Sequence, residues 1–326
     1  MILKDKRFLV IGGAGFIGSH TVDLLIREGV KEIIIFDNFF RGSTENLSKS
    51  LDNKKVKIFG HGGDILQKDI LEKAMHNIDG VFHFAALWLL QCHEYPESAF
   101  KTNIEGTFNI LNCCIKKRVK KLIFSSSASV YGDAEEEPMT EKHPFNSKNF
   151  YGATKICGES MLNAYHNRYS LNFIGLRYMN VYGPRQDYSG AYVAVIMKML
   201  DAIDNNKSVV IFGDGSESFD FVSVKDCARS NIFAMKSNKK EGFYNIGTGK
   251  KTSLLELAET LYDLVGAKKR IKFQENKNNT LVRNRIGCIK KASNELGFSS
   301  NQNLKSGLVE LINWRNSHKK ELENKI

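Results

Sequence analysis

A serine run, Ser125-Ser126-Ser127, ends an apolar stretch, and Tyr151 and Lys155 follow it within Tyr151-Gly-Ala-Thr-Lys155. Together these side chains can move a proton off a sugar hydroxyl. The phenol serves as base, a nearby ammonium favours its phenolate, and a serine hydroxyl steadies the carbonyl that develops. The residues that follow, Lys155-Ile-Cys-Gly-Glu-Ser-Met-Leu, predict a helix. Positions i and i+4 of a helix share a face, so Tyr151 and Lys155 stand side by side.

The elements that must position this set begin at the amino terminus. Strand-like Arg7-Phe-Leu-Val-Ile11 runs into Gly12-Gly-Ala-Gly15-Phe-Ile-Gly18, and a helical stretch continues through Arg27. A glycine turn between strand and helix is a dinucleotide-binding arrangement. Gly12 permits the tight turn, Gly15 lets the backbone approach a pyrophosphate, Gly18 allows close helix-to-strand packing, and the helix N-terminus offers its positive end to the phosphates. A second strand, Lys31-Glu-Ile-Ile-Ile-Phe36, ends at Asp37, at about the 20-residue distance where an acid accepts hydrogen bonds from the adenosine ribose. Asp37 repels a 2′-phosphate, so the expected cofactor is NAD rather than NADP, a preference that nearby Arg41 softens.

These motifs make the chain resemble an extended short-chain dehydrogenase/reductase of the NAD-dependent sugar-nucleotide epimerase/dehydratase family, the UDP-glucose 4-epimerase type in particular. The likeness covers almost the whole length. It includes Gly63-Asp64-Ile65, His83-Phe-Ala-Ala86, Asn103-Ile-Glu-Gly-Thr, Ser125-Ser-Ser-Ala-Ser-Val-Tyr-Gly132, Leu176-Arg-Tyr-Met-Asn-Val-Tyr-Gly-Pro184 and Tyr244-Asn-Ile-Gly247. The resemblance implies Ser127, Tyr151 and Lys155 as the catalytic set, with Ser126 the alternative serine, and gives Lys155 a bond to the nicotinamide ribose. It implies that Asp64 and Ile65 embrace the adenine, that Phe84, Ala85 and Ala86 line the dinucleotide path, and that Asn103 steadies the active-site backbone. Asp64 could equally cap a helix. Phe16, Ile17, Asn38, Ser125 and Tyr178 complete the implied cofactor set, and Trp88, Asn180, Val195, Phe219 and Arg283 are the implied substrate contacts.

The chemistry implied by the resemblance is oxidation at C4: Tyr151 takes the hydroxyl proton, the carbon-bound hydrogen passes as hydride to NAD, and a 4-keto sugar results. A dehydratase of this family carries an acidic pair directly after its serine or threonine, where this chain has Ala128 and Ser129. A reductive epimerase of the GDP-fucose synthase type usually carries a cysteine there and favours NADP. Neither mark is present. The expectation is therefore a 4-epimerase of the UDP-glucose or UDP-N-acetylglucosamine type, in which hydride returns to the opposite face. The alternatives are a C4 dehydrogenase or other modifier of a GDP- or CDP-sugar, and a non-catalytic NAD-binding sensor, which the retained Tyr151 and Lys155 disfavour. Three departures bear on the substrate. Trp88 and Leu89 are bulky where smaller or polar residues often face the sugar. Phe219 stands where relatives commonly carry an arginine for the diphosphate, the loss of a charge-assisted clamp. The later family arginine has no clean counterpart, with Lys277, Arg283, Arg285 and Arg185 as candidates.

The 326 residues, 42% of them hydrophobic, suffice for the core of a two-part enzyme. Strand-like runs at Phe8–Ile11, Ile33–Phe36, Val56–Phe59, Val81–Phe84, Leu122–Ser125 and Phe173–Arg177 alternate with helical ones. That α/β pattern predicts a Rossmann-type doubly wound parallel sheet over residues 1–179. A smaller mixed α/β lobe for the nucleotide sugar is expected over 180–326, with 219–234 packing back on the first. Its expected strands are Val209–Phe212, Phe219–Val222 and Ile271–Phe273, and its helices Ala191–Asp204, Leu254–Leu264 and Leu304–Trp314. The six cysteines lack metal-ligand spacing and fit a reducing cytoplasm. No metal site is expected, and His83 reads as a core histidine. The net charge of +11 is spread over dispersed lysines, which favours solvated faces over nucleic acid. Val81–Leu90 is too short to span a bilayer and reads as a buried strand with its loop. With no visible signal peptide, the expectation is a cytoplasmic protein, and Asn278-Asn-Thr280 is a chance match to a glycosylation sequon. The resemblance also implies a homodimer through a four-helix contact of segments Asn103–Lys117 and Tyr151–Tyr165.

Overall fold

Short apolar runs alternate with helices along the chain, and the computed structural model describes them over residues 1–188, 194–275 and 282–323. The first half consists of β1 (Arg7–Ile11), α1 (Phe16–Arg27), β2 (Glu32–Phe36), α2 (Ser48–Leu51), β3 (Val56–Ile58), α3 (Lys68–Ala74), β4 (Gly80–His83), α4 (Leu89–Glu94), α5 (Pro96–Ala99) and α6 (Gly106–Lys116). Then come β5 (Lys121–Ser127), α7 (Phe150–Tyr169), β6 (Phe173–Tyr178), β7 (Asn180–Tyr182), α8 (Val195–Asp204), β8 (Val209–Phe212), β9 (Ser218–Phe219), β10 (Phe221–Ser223) and α9 (Val224–Lys236). The last stretch holds β11 (Phe243–Ile246), β12 (Thr252–Ser253), α10 (Leu254–Val265), β13 (Ile271–Gln274), β14 (Asn284–Arg285), α11 (Lys290–Leu296) and α12 (Leu304–Glu323).

Seven strands form one parallel sheet in the order β11-β6-β5-β4-β1-β2-β3. Its strands read as unbroken apolar runs because helices cover both faces. Side chains alternate between the faces: Phe8 and Val10 join one core, Leu9 and Ile11 the other. The order reverses between β1 and β4, which opens a crevice at the carboxyl ends of these strands.

Three differences from the sequence expectations matter for that crevice. The run after Ala86 is not a plain loop, because α4, α5 and a π-helical turn at Phe100–Glu105 occupy it. Pro96 opens α5 at a first-turn position that needs no N–H. β5 continues to Ser127, paired with Tyr178 of β6, whereas its pairing with β4 stops at Phe124. The serines therefore overhang the end of β4. Finally, β11 lies beyond residue 179 yet extends the central sheet, pairing Tyr244 and Ile246 with Leu176 and Tyr178 of β6. The boundary at 179/180 divides the chain but not the sheet.

The remaining elements build a separate core in which Met197 and Leu200 of α8 meet Leu257 and Leu261 of α10 and Leu308 and Leu311 of α12. A capping box at Ser253 and Glu256 starts α10, and Gly266 in the left-handed conformation ends it. α9 returns to α1, where Asn231 Nδ2 donates to Thr21 Oγ1 at 3.4 Å. Among the described residues no helix is long and apolar enough to cross a membrane.

Candidate active site

The crevice is floored by the glycine turn. Gly12 has φ +77°, and a Cβ there would meet the Ala85 amide nitrogen at 2.7 Å. A Cβ on Gly18 would lie 2.2 Å from the Gly12 carbonyl oxygen, so only glycine lets α1 rise this close to β1. Gly15 caps α1, leaving Phe16 and Ile17 half-buried in its first turn. Asp37, just past β2, accepts from the Ala14 and Phe39 amides at 2.9 Å each. Burial raises its carboxyl pKa. A cavity of about 460 Å³ opens here, lined by Asp37, Asn38, His61, Asp64 and Gln67 among others. Asp64 lines it and its carboxylate accepts from the Leu66 amide at 2.9 Å; it caps no helix, since α3 starts from Gln67 without a side-chain cap. Ile65 does not line the cavity. Its side chain lies in the core under α6.

Across the crevice, Phe84, Ala85 and Ala86 leave β4 half-buried along the groove. Tyr178 is not brought to it: the residue is 4% exposed and its hydroxyl donates to Asn231 Oδ1 at 2.9 Å. The Ser125 hydroxyl lies close to the same phenol.

The expected trio is assembled where β5 overhangs. α7 starts at Phe150, its first turn capped by Asn149 Oδ1, which accepts from the Gly152 amide at 2.8 Å. This sets Tyr151 and Lys155 on the face toward β5. Lys155 Nζ lies 5.5 Å from the Tyr151 ring centroid and donates to the Ser125 carbonyl oxygen at 2.7 Å. The Ser127 hydroxyl lies close enough to the Tyr151 phenol to favour its ionisation, and it accepts from the Ser129 amide at 3.1 Å. Ser126 instead donates to Glu159 at 2.5 Å, and Glu159 is bound by two nitrogens of buried Arg177, at 2.9 and 2.6 Å. The geometry separates the two candidate serines: Ser127 faces the phenol and Ser126 a structural ion pair.

Burial acts on the two charges of this set in opposite directions. It pushes the Tyr151 phenol up to about 12, which the Ser127 hydroxyl only partly offsets, and pushes the Lys155 ammonium down to about 8. Both shifts favour the neutral form.

Asn103, in the π-helical turn, is the clamp that sequence spacing alone could not reveal. Its Oδ1 accepts from the Leu87 amide at 2.7 Å, and its Nδ2 donates to the Leu87 carbonyl at 2.9 Å and to Thr154 Oγ1 at 3.1 Å. It thereby ties the segment after Ala86 to the turn of α7 that carries Lys155. A π-turn at such a point is a frequent mark of a functional site. His83 is a core histidine: Nε2 lies 3.0 Å from Thr107 Oγ1, and burial lowers its pKa to about 3.

Comparison with known proteins bears directly on this geometry. Residues 8–247 match the NAD dependent epimerase/dehydratase family. The chain belongs to that family. It is 38% identical over 309 residues, 94% of this chain and 97% of the relative, to a putative UDP-glucose 4-epimerase of Methanocaldococcus jannaschii. Among solved structures it is similar to the UDP-N-acetylglucosamine 4-epimerase of Methanobrevibacter ruminantium in complex with UDP-N-acetylmuramic acid (TM-score 0.90, 34% identity, 97% of this chain and 99% of that one). It is also similar to the UDP-glucose 4-epimerase of Thermotoga maritima with UDP-glucose (TM-score 0.88, 34% identity, 96% and 99%).

This family member is an NAD-dependent enzyme of the sugar-nucleotide epimerase type. The crevice fits the cofactor: a Cβ-free floor at Gly12 and Gly18, the amides of the α1 N-terminus for phosphates, and the Asp37 carboxylate beside a cavity of adenosine size. The expected substrate residues are less gathered. Trp88 caps α4 half-buried, with the Arg41 guanidinium 4.8 Å from its ring centroid. Asn180 opens β7, half-buried, and Val195 opens α8, 37% exposed. Phe219 is half-buried, edge-on to Phe221 in the small core. Arg283 is exposed, its backbone N–H donating to Asp133 at 2.8 Å. Of the other candidate cations, Arg185 is bound to Asp23 of α1 at 2.8 Å, and Arg285 turns inward. Lys277, Val193 and the Asn278 sequon lie outside the described residues.

Proposed function

We propose that the enzyme interconverts the C4 epimers of a UDP-hexose, of the UDP-glucose or UDP-N-acetylglucosamine kind, with Ser127, Tyr151 and Lys155 as its catalytic residues. The observation that carries the reading is Tyr151 and Lys155 on one face of α7, with Nζ 5.5 Å from the ring centroid and bonded to the Ser125 carbonyl at 2.7 Å, next to Ser127 and beside a groove that fits NAD. NAD, when bound, supplies a reversible two-electron oxidation at C4 of the sugar. Tyr151 takes the proton of the C4 hydroxyl and returns it after the keto sugar has turned over. Ser127 steadies the carbonyl oxygen by a hydrogen bond, and Lys155 holds positive charge on the face of the ring. Asn103 keeps the Leu87 backbone and the Lys155 turn in register while this happens. In this reading the nucleotide sugar lies between residues 1–179 and 180–326.

A second copy of the chain is the partner this reading favours. α6 and α7 lie side by side, Tyr165 Oη donating to Asn112 Oδ1 at 2.7 Å, and they leave Phe108 42% and Tyr169 45% exposed. Sedimentation should give a dimer that Phe108→Glu dissociates.

Proton NMR of the purified protein with UDP-, GDP- and CDP-hexoses and no added NAD tests the activity. New anomeric signals of the C4 epimer from a UDP-sugar are expected. Keto-sugar signals that appear only with stoichiometric NAD would overturn the reading in favour of a C4 dehydrogenase.

A further inference from the structure

The segment that leaves β2 crosses the crevice and is tied down on its far side. The sheet order puts β1 between β2 and β4, so a contact between the segments that follow β2 and β4 spans the end of β1 and its glycine turn. Arg41 makes that contact, its guanidinium carbon standing 4.8 Å from the centroid of the Trp88 ring. The same guanidinium donates from Nη2 to Asp187 Oδ2 at 3.0 Å, which joins the small lobe to the pair. The base of the crossing segment is seated on the glycine turn itself. The Ala14 carbonyl accepts from the Ser43 amide at 3.1 Å and from Asn46 Nδ2 at 2.9 Å, and a Cβ on Gly42 would come within 2.8 Å of the Ala14 Cβ. The far anchor is also fixed, since Arg185 is bound to Asp23 of α1 at 2.8 Å and His20 Nε2 lies 3.0 Å from the Pro184 carbonyl oxygen. Further along the segment, the Glu45 carboxylate lies 3.5 Å from Nε2 of His318 on α12, a second tie to the small lobe. Phe39 enters the segment at φ +57°, a left-handed conformation that is costly for a bulky residue and persists where its surroundings dictate it.

We propose that Arg41, Trp88 and Asp187 form a strap over the dinucleotide groove, and that opening this strap sets how fast NAD leaves. The proposal stands on NAD binding in the groove and does not need the C4-epimer reading. The groove runs from the Asp37 cavity, past the glycine turn, to Ala85 and Ala86, and the strap crosses it between these ends. An ion pair at the surface and a guanidinium on an indole face are each weak taken singly. Here they share one side chain, so a single rotation of Arg41 breaks both and the strap opens as a unit. Trp88, expected at the sugar, thus acts on the cofactor through Arg41.

The test is exchange of bound NAD on the purified protein without sugar. The protein is mixed with excess deuterated NAD, desalted at intervals and read by mass spectrometry for the unlabelled NAD it retains. Arg41→Met should raise the exchange rate about tenfold, and Trp88→Leu about fivefold. The double variant should stay within about twofold of Arg41→Met, because both substitutions open the same strap. Trp88→Phe keeps an aromatic face for the guanidinium and should exchange near the wild-type rate. Rates within about twofold of wild type in both single variants would overturn the proposal, as would a double variant at the product of the two factors. A fast Arg41→Met beside a wild-type rate in Trp88→Leu would also overturn it, since Arg41 would then hold the cofactor alone. Wild-type protein that loses its NAD on the desalting column would do the same. If Trp88→Leu does not fold, Asp187→Asn takes its place with an expected rise of about threefold, and no rise counts against. With no sugar in the assay, failure of the epimerase assignment leaves this outcome readable.

Discussion

The two sides of the crevice hold their charges differently. On the sheet side, Lys155, Glu159 and Arg177 are buried beneath Ser125–Ser127 and bonded in short, directional pairs. On the small-lobe side, Phe219 is apolar, Arg283 is exposed, and Arg285 bonds only one carbonyl from its side chain. The sheet side is rigid and specified by partners within the same fold. The lobe side leaves donors unspent, as expected where a ligand must complete the hydrogen bonding.

The sharpest way to break the contrast is Tyr151→Phe. Removing the base should lower kcat by about 100- to 10,000-fold while cofactor affinity, measured by calorimetry, stays near wild type. Equal losses in both would mean the phenol serves binding and not proton transfer. Next in size is Arg177→Met, which leaves Glu159 buried and unpaired and should cost ~3–5 kcal/mol in denaturant unfolding. A loss under about 1 kcal/mol would show that the sheet side is less rigid than its bonds imply.

Lys155→Met should abolish most turnover yet stabilise the fold by roughly 1–3 kcal/mol, since it removes a desolvated ammonium. Its folded pKa, about 8 against 10.5, means the unfolded chain binds more protons between those values. Wild-type stability should therefore rise with pH across that window, and the variant should lack the rise. Urea unfolding at several pH values reads both. The smallest effect belongs to the lobe: Phe219→Arg should lower KM for a diphosphate sugar by less than about tenfold, with a small loss of thermal stability from the displaced ring. Unchanged KM would mean the diphosphate passes elsewhere.

The legibility of the two sides follows the same divide. Gly12, Gly18, Asp37, Tyr151 and Lys155 were readable because each acts within one turn or at one strand end, where local spacing fixes geometry. Tyr178 and Ile65 lie near those motifs yet turn to Asn231 and to α6, directions set by distant elements. The choice of Ser127 over Ser126 rested on resemblance, and strand alternation gives its reason: one hydroxyl faces the phenol, the next the Glu159–Arg177 pair. The helical run at 89–105 gives no local start signal, because none of α4, α5 or the π-turn has a side-chain cap.

The sequence by itself determined the parallel sheet, the dinucleotide turn and the Tyr151–Lys155 pairing, since hydrophobic period and i, i+4 spacing are properties of a single segment. Only the tertiary structure decided that β11 completes the sheet, that Ser126 is engaged by the Glu159–Arg177 pair while Ser127 stays on the Tyr151 side, and that Arg285 is tied to the Gly132 carbonyl. Those outcomes depend on burial and on contacts between residues far apart in the chain, where desolvation sets the sign of each charge's effect.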